Sequence, residues 1–280
     1  MNVIECQNLT QYFGNKKIYE NLNFSVKEGG VVGLLGKNGV GKSTTINILM
    51  GNLKPTSGKC LIYGEESDKL SAKTKARIGL LYEGHVTYDY LRIKDLYELY
   101  HQEYKAKFKK ERFFDLFRKL EVDEKQKIST LSCGQRSQVV LGLIFASDPD
   151  LLILDDYSLG LDTGYRRLFI DYLKDFIKSG DKSVLMTTHI VNDLEGLLNE
   201  LIIMRRGFEP LQISFDEFKS KFKGLSLAKD IDLSAIKGIE SMLELSDERQ
   251  IFGFFDQEIL GSKEIKLSFE DAFLGFTGRY

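Results

Sequence analysis

Only three cysteines occur in the 280 residues, Cys6, Cys60 and Cys133. Their number is odd and no CxxC or metal-ligand spacing joins them. That argues against a disulfide framework and against a zinc site, and it suits a reducing compartment. Long apolar runs are missing as well. Residues 139–146 and 151–154 are the longest, far short of the roughly 18–20 residues that span a bilayer. The opening MNVIECQNLT holds no apolar segment of the kind a secretory leader needs. Any work at a membrane is therefore expected to pass through a separate membrane-embedded partner. Nor is there an excess of either charge: 39 basic and 41 acidic residues leave −2. Bulk charge supports neither a nucleic-acid binder nor a polybasic membrane anchor, and no nucleic-acid partner is expected.

What is present reads as alternating strands and helices. Leu22, Phe24 and Val26 alternate with polar neighbours, and residues 3–9 follow suit, the period of half-buried strands. Residues 31–35 form a short continuous apolar run, as in a strand covered on both faces. Further short strands are expected at 59–63, 78–82, 151–154 and 183–187. Ile46, Leu49 and Met50 have helical spacing within 44–50, and Gly51 and Pro55 end that helix. Three more helices are expected at 91–104, 109–120 and 134–146, and another at 165–178. This order implies an α/β fold with a mixed β-sheet core, interrupted by a helical insert at about 85–148. The main domain is placed at residues 1–206. A small α+β extension follows at 207–280, where Leu211, Ile213 and Phe215 alternate and residues 251–255 form another apolar run.

Residues 36–44, GKNGVGKST, match the pattern G-x-x-x-x-G-K-[ST] between a strand and a helix. Gly36, Gly39 and Gly41 let backbone N–H groups of the loop, including those at Asn38, Val40 and Thr44, curl around phosphate oxygens. The helix N-terminus adds partial positive charge. Lys42 can reach β- and γ-phosphates and the Ser43 hydroxyl can ligate Mg²⁺. The loop by itself says phosphate of a nucleotide and nothing narrower.

Four further segments narrow it. LSCGQ at 131–135 resembles the LSGGQ signature of ATP-binding cassette (ABC) proteins, with Cys133 in place of the first glycine. LLILDD at 151–156 looks like a Walker B strand, SLGLD at 158–162 like the D-loop, and TTHI at 187–190 like the switch-histidine segment. The resemblance covers residues 1–205 and implies a P-loop NTPase cassette. The final LSFEDAFLGFTGRY, with Phe269, Ala272, Phe273 and Phe276 on one side, resembles the ending of bacterial export-type subunits.

This resemblance assigns roles. ATP and Mg²⁺ are the implied ligands. Phe13, rather than Tyr12, aligns with the aromatic that stacks on adenine. Asp155 would hold Mg²⁺ together with Ser43, and Glu83 stands where a glutamine is usual. Ser132, Gly134 and Gln135 would meet the γ-phosphate held by a second ATP-binding subunit, identical or different. Asp156 takes the place of the glutamate that polarises the attacking water, and His189 that of the switch histidine. Asp156 is one methylene short, so slow hydrolysis is expected, since about 1 Å can cost roughly 10²-fold. Cys133 is expected to hinder close approach where a glycine can adopt positive φ. The resemblance implies an integral membrane permease as partner and a place at the cytoplasmic face of the membrane. The same motifs would serve a catalytically weak ATP-gated switch or a soluble cassette ATPase.

Overall fold

A computed structural model describes residues 1–82, 88–158, 161–178, 180–188 and 190–278. The chain opens in a long hairpin of β1 (Asn2–Phe13) and β2 (Lys16–Lys27). Gly14 turns it at φ 57°, where a residue with a Cβ is strained. Strand β3 (Gly30–Gly36) leads into α1 (Lys42–Leu49), β4 (Ser57–Ile62), β5 (Glu65–Glu66), α2 (Ala72–Lys75) and β6 (Ile78–Leu81). Three helices follow, α3 (Ile93–Tyr104), α4 (Lys110–Arg118) and α5 (Cys133–Ala146). Next come β7 (Leu151–Leu154), α6 (Thr163–Ile177), β8 (Ser183–Met186), β9 (Glu200–Met204) and β10 (Leu211–Ser214). The chain finishes with α7 (Phe215–Lys221), β11 (Phe222–Leu227), β12 (Ile239–Glu244), β13 (Arg249–Phe254), β14 (Lys263–Ile265) and α8 (Phe269–Thr277).

The strands form an antiparallel sheet β2-β1-β4-β5, a six-stranded sheet β10-β9-β3-β8-β7-β6, and an antiparallel sheet β12-β13-β11-β14. In the six-stranded sheet only β10 runs antiparallel to its neighbour. Its continuous apolar strands serve two cores at once, because successive side chains leave opposite faces. Leu151 and Ile153 join a cluster with Ile46, Ile48 and Leu49 of α1 and with the first sheet. Leu152 and Leu154 join another with Phe145 of α5 and with Phe169 and Leu173 of α6. The insert has its own core, in which Ile93, Leu96, Phe113, Leu120 and Val139 meet. No helix among the described residues is long and apolar enough to cross a membrane.

The expected alternation through Phe215 fails there. Strand β10 stops at Ser214, whose hydroxyl accepts the N–H of Glu217 at 3.2 Å and so caps α7. Phe215 thereby enters an aromatic cluster with Phe218 and Phe269, its ring centre 5.0 Å from that of Phe269. The expected division at 206/207 falls inside the β9–β10 hairpin. Phe218, Phe222, Phe252 and Phe276 beyond it share one buried cluster with Val31 and Leu35 of β3.

Candidate nucleotide-binding site

Three parallel strands, β3, β7 and β8, end side by side, and each delivers polar groups just past its C-terminus. After β3 the loop closes tightly. Gly36 has φ 152°, and a Cβ there would lie 2.7 Å from the Met204 carbonyl oxygen. Gly41, at φ 112°, heads α1, and a Cβ there would lie 2.7 Å from the Tyr19 ring. Only glycine fits either place. Lys42 Nζ donates to the carbonyl oxygens of Gly36 at 2.7 Å and Lys37 at 3.2 Å, so the loop wraps its own lysine.

Asp155 and Asp156 follow β7 and are buried. Ser43 Oγ donates to Asp155 Oδ1 at 3.2 Å. Thr187, directly after β8, donates its hydroxyl to the same oxygen at 2.8 Å and accepts the Asp156 N–H at 2.8 Å. Asp156 has left-handed φ, 43°. Its Oδ1 accepts the Ser158 hydroxyl at 2.8 Å, and Ser158 Oγ lies 3.1 Å from Thr188 Oγ1.

These groups open on one cleft of about 420 Å³, within the range of small-molecule sites. Asn38, Gly39, Gly41, Lys42, Ser43 and Thr44 border it on one side, and Asp155, Asp156 and Thr187 on another. Phe13, half exposed at the hairpin tip, stands at its rim with Lys16 and Ile18. Tyr12 does not border the cleft, and its hydroxyl donates to the Glu20 carboxylate. Val40 is buried behind the loop, its side chain against Gly36. Ser43 and Asp155 offer hard oxygen atoms beside a phosphate loop. No group of three or more His, Cys, Asp or Glu side chains suited to a metal occurs among the described residues. That donor set fits Mg²⁺, which keeps several waters and takes few protein ligands beside phosphate.

Ser132, Gly134 and Gln135 do not border this cleft. They begin α5 on the helical insert. Ser132 Oγ accepts the Gln135 N–H at 3.2 Å, and Gln135 Oε1 accepts the Ser132 N–H at 3.1 Å, a capping box. Gly134 is pressed against Tyr165, since a Cβ there would meet that ring at 2.6 Å. The positive φ expected at position 133 is corrected: Cys133 is the first residue of α5, exposed, and its φ is not positive. Cysteine takes that conformation without strain. Glu83 and His189 lie outside the described residues.

Sequence reasoning missed Thr187 itself, although its segment was singled out. The signal was a hydroxyl residue ending a fully buried strand beside the one that ends in Asp155. Lys16 and Ile18 at the rim were also missed, and they carry no pattern that marks them.

The family model described as ABC transporter matches residues 19–158. This chain belongs to the ABC transporter family. Among relatives, the cassette is 31% identical to Nod factor export ATP-binding protein I of Cupriavidus metallidurans, over 73% of this chain and 69% of that protein. It is 27% identical to the uncharacterized ABC transporter ATP-binding protein YhcH of Bacillus subtilis, over 99% of this chain and 96% of that one. The latter alignment therefore runs through the C-terminal extension. A solved ATP-binding subunit of an ABC transporter superposes with a TM-score of 0.70 at 25% identity, covering 78% of this chain and 92% of that one. The cassette is an ATPase of this family and an ATP-binding subunit of a transport system.

Proposed function

We propose that the cassette binds Mg²⁺–ATP in the cleft at the head of β3, β7 and β8, and closes head to tail on a second copy to hydrolyse it. The observation that carries this is a separation. Lys42, Ser43, Asp155 and Asp156 share one cleft, whereas Ser132, Gly134 and Gln135 border no part of it. A second subunit brings an α5 N-terminus, with its N–H groups and partial positive charge, over the γ-phosphate. Each site then needs two chains.

Within the site, loop N–H groups and Lys42 bind the β- and γ-phosphates, and Phe13 stacks on adenine. Ser43 and Asp155 would hold Mg²⁺, which when bound would offset phosphate charge. Asp156 accepts a proton from the attacking water, held in place by Thr187 and Ser158 on either side. Closure of the pair drives a separate membrane permease from the cytoplasmic face, in the direction of export. The name of the Nod factor export relative supports that direction.

Sedimentation velocity of Asp156→Asn, with and without ATP and Mg²⁺, tests the shared site. The expected result is one 32.0 kDa chain without nucleotide and twice that mass with it. Lys42→Ala stays single in both conditions. A variant that binds ATP yet remains single at every concentration overturns the two-chain site.

A further inference from the structure

On the far side of the loop residues Lys37–Gly39–Val40 lies a second cavity, of about 540 Å³, walled by the C-terminal extension. Its lining brings Lys16, Lys37, Arg205 and Arg206 together against one carboxylate, Glu240. Arg205 already takes that carboxylate, at 2.7 Å. Lys16, Lys37 and Arg206 have no ion-pair partner among the described residues. Like charges gathered without counter-ions raise the free energy of the bare protein, and an anion relieves it.

Two features narrow the ligand. Arg205 Nε is buried with no hydrogen-bond partner among the described residues, so the guanidinium is held by packing on this side. Phe208, 67% exposed, offers a flat apolar face stacked over the Arg205 guanidinium at 4.6 Å. Phe276 lies on that guanidinium at 4.0 Å. A largely exposed aromatic ring, with one face on Arg205 and the rest open, beside three cations without ion-pair partners among the described residues matches a ligand that has both a planar ring and phosphates.

We propose that this cavity is a second, non-hydrolytic site for a nucleotide. Lys37 and Arg206 bind its phosphates, and Phe208 stacks on its base. Lys16, Asn38 and Gly39 border both this cavity and the ATP cleft. Occupancy here therefore acts on the phosphate loop, and the two ligands change each other's affinity by the same factor. The extension closes the circuit: Arg205 donates to the Phe276 carbonyl oxygen at 3.3 Å, and a Cβ on Gly278 would lie 3.8 Å from Lys37 Nζ.

Equilibrium dialysis of the full chain with ADP measures the stoichiometry. The expected result is a second ADP per wild-type chain that survives Lys42→Ala. It disappears in Arg206→Glu combined with Phe208→Ala, both exposed positions whose replacement leaves the core intact. Inorganic pyrophosphate in place of ADP binds the second site at least tenfold more weakly, because it has no ring for Phe208. A single ADP per wild-type chain overturns the proposal. So does a second ADP that is lost with Lys42→Ala or retained in the double variant. Loss of ATP hydrolysis in Lys42→Ala with the second ADP still bound separates the failure of the cleft from the failure of this site.

Discussion

Thr187 Oγ1 lies 2.8 Å from Asp155 Oδ1 and 2.8 Å from the Asp156 nitrogen, donating to the first and accepting from the second. One hydroxyl just past β8 thus fixes two consecutive acidic residues just past β7, across a parallel strand pair. The proposed hydrolysis asks two things of this pair, a carboxylate near the metal and one near the water. Thr187 keeps the first bound to Ser43's side of the cleft and sets the backbone that aims the second.

Replacing Thr187 by Val keeps the shape and removes both bonds. The buried Asp156 N–H loses this acceptor, so urea unfolding is expected to show a loss of about 1–3 kcal/mol. ATP turnover falls with it. Thr187→Ser restores the hydroxyl and recovers most of both. Equal stability in Val and wild type would remove Thr187 from the account.

At Asp156 the backbone is left-handed, φ 43°, a region that favours Asn and Asp because a short polar side chain bonds locally. The Ser158 hydroxyl supplies that bond at 2.8 Å. Asp156→Glu is therefore expected to lower stability by about 1 kcal/mol, although Glu is the residue that ABC resemblance leads one to expect here. Asp156→Asn keeps the bond and the conformation, and its urea midpoint stays at the wild-type value.

Signature substitutions separate packing from conformation. Gly134→Ala drives a methyl into the Tyr165 ring, 2.6 Å away, and is expected to cost about 1–3 kcal/mol by forcing a shift. Cys133→Gly relieves nothing, since Cys133 is already helical. It loses at most about 0.3 kcal/mol of helix propensity. Thermal unfolding of the two variants checks both.

The parts of this fold written in the sequence were those fixed by local pattern. Leu151–Leu154 and residues 31–35 are apolar throughout because each face of the six-stranded sheet is covered. Gly36 and Gly41 are required by loop closure against Met204 and Tyr19. What did not show was anything decided by chain crossings. Phe215 continues a period-two pattern, yet Ser214 caps a helix there and the ring belongs to an aromatic cluster assembled from four separate elements. Cys133 looked strained only because a positive φ was taken from the glycine it replaces. Thr187 opens the singled-out segment 187–190, but its contacts to Asp155 and Asp156 arise from the register of β7 against β8.

At the opposite end of the sheet, Asp148 binds Lys182 at 3.0 Å and Arg112 at 2.6 Å, tying the helical insert to β8. Burial alone would raise its pKa, but the hydrogen bonds from Lys182 and Arg112 outweigh it and hold the carboxyl below its usual value. A lowered folded value means stability that is complete above the unfolded value, about 3.9, and is lost as pH falls through the folded one. The unfolding free-energy gap between wild type and Asp148→Asn is expected to stay constant from about pH 5 to 8. It should shrink below about pH 4. A gap that grows on acidification contradicts the assignment.

The central claim is that Asp156 performs the chemistry in a cleft that Lys42 and Ser43 build for ATP. Single-turnover phosphate release, measured beside retained ATP in wild type and Asp156→Asn, tests it directly. The account predicts that the variant holds ATP as wild type does while phosphate release slows at least about 10²-fold, the lower range for a lost general base. Phosphate release at the wild-type rate in Asp156→Asn would contradict it.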